Sequence, residues 1–335
     1  MRVLITGSSG VLGQNLTRHV TASGMSTVGV DLRGSTGVRC DVRDTARMTR
    51  LAEGCDVVVH AAAALPSHSS RDIWSIDVDG TASVLTAARM AGVDRFVHVS
   101  STAVYGLPKV FPTPETHPRH GVDAYSRAKG QAERECEQVA DQFGHLSIVR
   151  PKTFLGPGRL GLFSMLFEWA HEGRNFPVIG DGSQRTQMLD VDDLCDVLMK
   201  VITGAPEGVR AYNLGATRFG GIGDDFQSVL DEAGYGGKVR HLPLTPAVQL
   251  LRAAAAIGRS PVYPRLINKL REHSYVDTTR AERELGFSPR YSNREALVRT
   301  YRWWLTEADH SQVTGSTHTA RWPQGVLRLA KPILG

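Results

Sequence analysis

The sequence of 335 residues lacks any apolar run of about 18 residues, the length that a transmembrane helix requires. The nearest candidate, residues 247–257, is short and is interrupted by Gln249 and Arg252. No apolar segment of the signal-peptide type follows the first methionine, because residues 1–6 lead directly into a glycine-containing turn. We therefore expect neither an integral membrane segment nor a secretory leader.

Cysteine is scarce as well. The four cysteines are scattered and show no CxxC spacing, at positions Cys40, Cys55, Cys136 and Cys195. This pattern disfavours a disulfide framework and a zinc site, and it favours buried, reduced thiols and a cytoplasmic location. We predict no metal site.

The net charge of +5 comes mainly from the end of the chain. No acidic residue follows Asp309, whereas Arg321, Arg328 and Lys331 do, so this segment contributes +3 and the body +2. The body shows no basic stripe with interleaved aromatic residues, and we expect no nucleic-acid partner. Residues 310–335, rich in Ser, Thr and Gly near their start, are predicted to form a flexible tail.

The first half of the chain alternates short apolar runs with amphipathic segments. The predicted strands are residues 3–6, 27–31, 57–60, 96–100 and 147–150, and the predicted helices are residues 12–23, 45–52, 80–91 and 126–143. This alternation predicts an α/β fold with a doubly wound parallel sheet of the Rossmann type.

The composition changes after Pro151, which predicts a second, smaller and mainly helical lobe that binds a substrate. We place the dinucleotide-binding domain at residues 1–155, with returning elements at about 186–220. The substrate-binding lobe would then take residues 156–185 and 221–309.

A glycine-rich turn with the sequence TGSSGVLG, residues 6–13, joins the first predicted strand to the first helix. Such a turn lets the backbone approach a pyrophosphate and directs a helix N-terminus at it. The second strand ends in Asp31, 18 residues after Gly13. A carboxylate there accepts hydrogen bonds from the adenosine ribose and repels a 2′-phosphate. The sequence therefore predicts NAD rather than NADP as cofactor, with Arg33 keeping NADP open.

A second motif, YSRAK at residues 125–129, places a tyrosine and a lysine four residues apart on one helix face. A nearby ammonium favours the phenolate form, so Tyr125 is a candidate acid and base for a secondary alcohol or ketone. Upstream, Ser100, Ser101 and Thr102 end a strand at the edge where parallel sheets bind ligands. The alternative is a surface helix with a solvated lysine and hydroxyls that cap the strand end.

Taken in order, the motifs resemble the extended short-chain dehydrogenase/reductase family, the NAD-dependent epimerase/dehydratase group, over nearly all of residues 1–305. The motifs that carry the resemblance are TGSSGVLG (6–13), CDV (40–42), HAAA (60–63), SSTAVYG (100–106), YSRAK (125–129), RP (150–151), GPG (156–158), VDDL (191–194), YNLG (212–215) and ELGFSP (284–289). The resemblance implies that Ser101, Tyr125 and Lys129 are catalytic. It also implies a cofactor site that comprises Gly7, Gly10, Val11, Leu12, Gly13, Asp31, Arg33, Asp41, Val42, Ala61, Ala62, Ser100, Tyr125, Lys129 and Pro151.

Two positions depart from the pattern of sugar-nucleotide epimerases. Those enzymes usually carry Asn at the position of Thr153 and Arg at the position of Thr186, and Arg185 is displaced by one residue. Both positions normally help to hold the nucleotide diphosphate, for which a guanidinium is well suited. A later Arg-x-Gly-Asp element has no clear counterpart near Arg271. The candidate substrate contacts are Thr102, Thr153 and Arg185.

Three functions stay open at this point. The first is an epimerase or dehydratase that acts on a sugar or nucleotide sugar with tightly held NAD. The second is a stand-alone dehydrogenase or ketoreductase for a non-nucleotide, steroid-like or polyketide-like substrate. The third is an NAD-binding regulator without catalysis, which the intact Ser101, Tyr125 and Lys129 set disfavours.

The resemblance also implies a homodimer, in which the helices predicted at residues 80–91 and 126–143 pair with those of a second subunit. Both segments carry apolar residues beyond those that the sheet needs, namely Val84, Leu85, Ala88, Ala132, Val139 and Phe143.

Overall fold

A computed structural model of the chain describes residues 1–33, 37–161, 163–204, 206–249 and 272–307. The predicted tail, Arg271 and most of the apolar run at 247–257 lie outside the described residues. The chain divides into two compact units. The first comprises Met1–Lys152, Val191–Gly215 and Val276–Ser288, and the second takes the described residues of Thr153–Asp190, Ala216–Tyr275 and Pro289–Gly335.

The strands are numbered along the chain. They are β1 (Arg2–Thr6), β2 (Ser26–Asp31), β3 (Val38–Arg39), β4 (Val57–His60), β5 (Arg95–Val99), β6 (His145–Pro151), β7 (Phe154–Leu155), β8 (Phe176–Ile179), β9 (Leu189–Asp190), β10 (Gly208–Leu214) and β11 (Val239–Leu242). The helices are α1 (Val11–Ala22), α2 (Thr45–Ala52), α3 (Ser70–Trp74), α4 (Gly80–Met90), α5 (Ala124–Gln138), α6 (Phe163–His171), α7 (Val191–Gly204), α8 (Ile222–Ala233), α9 (Thr279–Leu285) and α10 (Asn293–Thr306).

Seven parallel strands form the sheet of the first unit, in the order β10-β6-β5-β4-β1-β2-β3. The chain leaves β1 in one direction through β2 and β3, then returns to β4 on the other side of β1. Ligands of doubly wound folds bind at the carboxyl ends of the strands where the order reverses. That point lies between Thr6 of β1 and His60 of β4, which are register partners. The predicted doubly wound parallel sheet is confirmed.

Three details of the first unit differ from the sequence expectation. The segment Val276–Ser288, placed in the lobe by the sequence pattern, belongs to the first unit. Helix α5 ends at Gln138 instead of residue 143, because the chain turns there and buries Phe143 against Phe96, with ring centroids 5.5 Å apart.

The third difference lies before Gly80. Helix α3, a π-helical turn over Ser75–Asp79 and α4 form one continuous helical run. The run begins at Ser70, after the N-cap residue Ser69, whose side chain accepts the N–H of Asp72. A π-helical turn disturbs the helical period, and such turns are frequent at functional sites. The apolar pattern therefore becomes recognisable only after this turn.

The second unit is built around helices α6, α8 and α10 and two short strand pairs, β7 with β9 and β8 with β11. Its core is rich in aromatic side chains, including Phe167, Trp169, Tyr301 and Trp304. The ring of Phe167 on α6 lies against those of Tyr301 and Trp304 on α10, with centroids 5.7 and 6.1 Å apart, which packs α10 against α6 in this core.

No helix in the described part of the chain is long and apolar enough to cross a membrane. All four cysteines are buried, and none of them forms a disulfide. The described ranges contain no group of three His, Cys, Asp or Glu side chains arranged to hold a metal ion.

Candidate active site

The turn after β1 has no room for side chains at its glycines. Gly7 has a φ of 71°, and a Cβ on it would lie 2.8 Å from the backbone nitrogen of Ala62. A Cβ on Gly13 would overlap the carbonyl oxygen of Gly7, and one on Gly10 would lie 3.2 Å from the same oxygen. The three glycines therefore leave a cradle of backbone that a phosphate can approach closely.

Two hydroxyls in this cradle lack partners. The side-chain oxygens of Ser8 and Ser9 are buried and have no hydrogen-bond partner within the described residues. Helix α1 begins directly after them, at Val11, and its first-turn residues Val11 and Leu12 are buried. Unpartnered buried hydroxyls are unusual; the Oγ of Ser8 faces Gly29 of β2, so it is the hydroxyl of Ser9 that, together with the helix N-terminus, fits an oxygen of a pyrophosphate.

The carboxylate of Asp31 faces the cradle from the end of β2. Its Oδ2 accepts the backbone N–H of Ser9 at 3.0 Å, and its Oδ1 accepts that of Arg33 at 2.9 Å. Each carboxylate oxygen can accept a second hydrogen bond, so Asp31 can bind ribose hydroxyls while it holds the turn. The residues present fit an NAD cofactor.

Two of the predicted cofactor contacts, Asp41 and Val42, differ in accessibility. Val42 is buried in the core of the first unit. The carboxylate of Asp41 accepts three N–H groups of Arg43, including its guanidinium Nη2 at 2.5 Å. These hydrogen bonds hold the pKa of Asp41 below its ordinary value. Asp41 is therefore ionised and fixed beside the end of β3.

His60, at the end of β4, has a defined tautomer. The hydroxyl of Thr81 donates to the carbonyl of Asp77 at 2.6 Å, so it must accept from Nε2 of His60 at 3.1 Å. Nδ1 then accepts from the hydroxyl of Thr6 at 2.8 Å. Thr6 in turn accepts the backbone N–H groups of the two residues after His60.

Those two residues are Ala61 and Ala62, which pack against Gly7. Their conformation is fixed by the neutral ring of His60, and burial lowers the pKa of that ring to about 3. The edge of the cofactor cradle is thus held by hydrogen bonds between uncharged groups.

Helix α5 begins with a capping box. The carboxylate of Asp123 accepts the backbone N–H of Ser126 at 2.7 Å, and the hydroxyl of Ser126 accepts the N–H of Asp123 at 3.0 Å. Ser126 belongs to the YSRAK motif, so the cap fixes the register of Tyr125 and Lys129. These two side chains share one helix face with Glu133, four residues further on.

Lys129 is 2% exposed, and its ammonium donates to the carbonyl of Val99 at 3.2 Å. Ser101 follows two residues after Val99, is half-buried, and accepts the N–H of Ala103 with its hydroxyl. Tyr125 is half-buried and packs against a small apolar cluster that contains Ala128. The structure therefore brings Lys129 to the carboxyl end of β5, beside the segment that carries Ser101.

The sequence reasoning missed Glu133, which is fully buried. Its Oε1 accepts the hydroxyl of Ser100 at 2.6 Å and Nε of Arg150 at 2.9 Å. Its Oε2 accepts Nη2 of Arg150 at 2.7 Å and Nη1 of Arg119 at 3.1 Å. The hydroxyl of Ser100, a predicted cofactor contact, is therefore engaged by Glu133. The spacing of four residues from Lys129 was the available signal.

Arg150 extends this network towards β10. Its Nη1 donates to the hydroxyl of Tyr105 at 2.7 Å and to the carbonyl of Glu115 at 3.0 Å. Tyr105 donates to the side-chain oxygen of Asn213 at 2.7 Å, and burial raises the pKa of Tyr105 to about 12. This network connects α5 to the segment after β5, to β6, to β10 and to the loop that carries Glu115 and Arg119.

The three candidate substrate contacts lie in different surroundings. Thr102 is buried in the first unit, and its hydroxyl donates to the carbonyl of Pro151 at 3.5 Å. Thr153 and Arg185 belong to the second unit, and both are exposed. The guanidinium of Arg185 lies over the rings of Phe219 and Tyr275, at 4.7 and 4.8 Å from their centroids.

Known proteins resemble the chain over most of its length. A protein of unknown activity from Sinorhizobium fredii is 32% identical, covering 97% of this chain and 84% of the relative. A UDP-glucose 4-epimerase from Mycolicibacterium smegmatis is 28% identical, covering 90% and 97%. A ketoreductase from Stigmatella aurantiaca that acts on a farnesylated dihydroquinoline oxide is 26% identical, covering 89% and 95%.

Among solved structures, a UDP-glucose 4-epimerase with UDP-glucose from Thermotoga maritima superposes with a TM-score of 0.77. It is 22% identical, and the match covers 92% of this chain and all of that one. Residues 3–215 match the model of a family described as NAD dependent epimerase/dehydratase. The predicted resemblance, the enzyme class and NAD as cofactor are confirmed. The chain belongs to the NAD-dependent epimerase/dehydratase family.

Proposed function

We propose that this enzyme is an epimerase or dehydratase of a sugar or nucleotide sugar and that it keeps NAD bound between turnovers. The observation that supports this most is the buried Lys129 of the YSRAK helix, fixed at the carboxyl end of β5 in the unit that carries the cofactor cradle. This position is where a family member needs its acid and base.

Bound NAD supplies a hydride acceptor and, on the return step, a hydride donor. Tyr125 takes the proton of the substrate hydroxyl as its carbon loses hydride, which leaves a ketone. The hydroxyl of Ser101 holds the substrate oxygen by a hydrogen bond. The ammonium of Lys129 stabilises the phenolate of Tyr125 and can bind a ribose hydroxyl. In the reverse direction Tyr125 returns the proton to the oxygen.

A stand-alone ketoreductase is the second candidate, and three observations favour it. Thr153 and Thr186 replace the side chains with which sugar-nucleotide epimerases usually hold a diphosphate, and the Arg185 guanidinium lies over two adjacent aromatic rings. One relative is itself named a ketoreductase. Such an enzyme would release its cofactor after each turnover.

Cofactor behaviour separates the two candidates. Purified protein should be extracted for bound NAD(H) and then incubated with UDP-, dTDP- and GDP-sugars while the absorbance of reduced nicotinamide is followed. Bound cofactor, a new sugar product by NMR and no net absorbance change support the epimerase or dehydratase. Stoichiometric consumption of added NADH with a ketone substrate, and no change in any sugar, would establish the ketoreductase instead.

We also infer a homodimer through α4 and α5, an inference that rests on the family alone. Most of the apolar residues that suggested the interface are buried within the chain, namely Val84, Leu85, Ala88, Ala132 and Phe143, and Val139 packs against the same core. The interface would therefore have to use the outer faces of the helices. Light scattering should give twice the monomer mass, and a monomer would refute the dimer.

A further inference from the structure

Lys129 is a buried cation, and the proposed function names no counter-charge for it. Only 2% of the residue is exposed, and the carbonyl of Val99 accepts from its ammonium. Removing an ammonium from water is costly unless acceptors and a negative charge compensate it. The groups around Lys129 must therefore supply this compensation.

Two of these groups are neutral histidines. Burial, with a smaller contribution from the charge of Lys129, lowers the pKa of His60 to about 3. Burial likewise lowers the pKa of His98 well below its ordinary value. The two rings lie with centroids 5.6 Å apart, and neither nitrogen of His98 has a partner among the described residues. Neither ring supplies a negative charge.

The carboxylate on the same helix face is engaged elsewhere. Each oxygen of Glu133 accepts two hydrogen bonds, from the guanidinium of Arg150, from Arg119 and from Ser100. Arg119 also binds Glu137, so two guanidinium groups balance two carboxylates in this cluster, and Glu133 has no charge left to balance Lys129.

The remaining candidate for a compensating negative charge is Asp77, on the π-helical turn. It is 1% exposed; its Oδ1 accepts the N–H of Ala64 at 2.9 Å, and its buried Oδ2 has no partner in the described part of the chain. The turn packs on α5, because Val78 and Ala128 share one apolar cluster. Burial raises the pKa of Asp77, and the charge of Lys129 is the foremost influence that opposes this rise.

We propose that Asp77 is the counter-ion of Lys129, a positioning residue whose charge sets the pH range in which Tyr125 and Lys129 work. The part that concerns turnover rests on the proposed function. The titratable groups on the elements packed around the pair are His60, His68, His98, Tyr125, Glu133 and Cys136. The same helical run also carries Asp72 and Asp79, and both of these are exposed.

Asp77→Asn keeps the size of the side chain and removes its charge. Groups near a lost negative charge release their protons more readily, so both limbs of the pH profile of kcat/KM should move to lower pH, by roughly one pH unit. Asp79→Asn removes an exposed charge two residues further along and should move neither limb. Profiles of Asp77→Asn that coincide with those of the parent would overturn the proposal.

A second measurement does not depend on activity. In the parent, Lys129→Met leaves the buried charge of Asp77 without compensation. In the Asp77→Asn background, the same substitution leaves no uncompensated charge. The fall in Tm caused by Lys129→Met should therefore be smaller in that background. Lys129→Arg keeps a positive charge opposite Asp77 and should lower Tm less than Lys129→Met does.

The proposed role of Asp77 as counter-ion would be excluded, whatever the substrate is, if Lys129→Met lowered Tm equally in the parent and in the Asp77→Asn background. It would also be excluded if Lys129→Met and Lys129→Arg lowered Tm equally. A clear coupling of the two substitutions in their effect on Tm, together with an active Tyr125→Phe enzyme, would separate the two hypotheses. In that case the proposed function fails, and the pairing of Asp77 with Lys129 stands.

Discussion

Two regions of the first unit hold their side chains by different means. The glycine-turn region, residues 6–13 with Asp31 and His60, relies on backbone amides, on glycines that leave space for a ligand and on a neutral imidazole. The α5 region, centred on Lys129 and Glu133, relies on buried charges. One region contains a single charged side chain, and the other contains paired ions that are almost inaccessible to water.

The difference fits the roles that we propose for the two regions. A pyrophosphate is recognised by backbone N–H groups and hydroxyls at close range, so the turn must be narrow and free of side chains. The proton transfer that we propose for the α5 region would use buried charged groups, and such groups are stable only when each is compensated. Shape therefore dominates in the glycine-turn region, and charge balance dominates in the α5 region.

The largest effect is expected from Tyr125→Phe. The ring can still pack against the cluster of Ala128, but the hydroxyl that we propose moves the proton is lost, so kcat should fall by roughly 10²- to 10⁴-fold. The affinity for NAD, measured by titration calorimetry, should stay near that of the parent, because the glycine-turn region is untouched. Tyr235→Phe, at an exposed tyrosine of the second unit, serves as control. Turnover of Tyr125→Phe within about threefold of the parent would remove Tyr125 from the mechanism.

The next effect concerns stability. Glu133→Ala strands the buried guanidinium of Arg150 and should lower the free energy of unfolding by about 3–5 kcal/mol. Glu137→Ala removes an exposed partner of Arg119 on the same helix and should cost less than about 1 kcal/mol. Urea denaturation of both variants measures the difference. If the two losses are equal, burial does not distinguish the ion pairs of the α5 region.

The sequence could predict the glycine-turn region better than the α5 region. Residues 6–13 act through local turn geometry, and Asp31 follows at a fixed distance along the chain, so both can be read from spacing. The partners of Glu133, by contrast, come from Arg119 on a loop and Arg150 on β6. Pairings of this kind depend on the folded sheet.

The same contrast explains why Asp77 was not anticipated. It lies on a π-helical turn, where the helical period that guides pattern reading is disturbed. The other acids of the same helical run, Asp72 and Asp79, are exposed. Only burial in the fold distinguishes this carboxylate from the surface acids around it.

A pH prediction follows from His60. Its folded pKa of about 3 lies below the ordinary value of 6.5, so the unfolded chain binds more protons between these values. The contribution of His60 is complete above about pH 6.5 and is lost as the pH falls towards 3, by up to about 1.4 kcal/mol per pH unit.

His60→Asn should therefore flatten the dependence of the unfolding free energy on pH in this window. Urea denaturation at a series of pH values gives the slope. His120→Asn, at an exposed loop histidine, is the matched control and should leave a slope close to that of the parent. An unchanged slope for His60→Asn would mean that the neutral ring does not support the glycine-turn region.

The smallest effect is expected at the one charge of the glycine-turn region. Asp31→Ala combined with Leu32→Arg, at an exposed position, removes the repulsion of a 2′-phosphate and adds a cation, with Arg33 beside it. The ratio of Kd values for NADP and NAD should shift towards NADP by roughly tenfold, about 1.4 kcal/mol. Binding of NAD should also weaken, because Asp31 accepts the N–H of Ser9 and holds the turn. Titration of both cofactors, with Asp56→Ala as control, measures the shift, and a parent enzyme that already binds NADP more tightly would contradict the role given to Asp31.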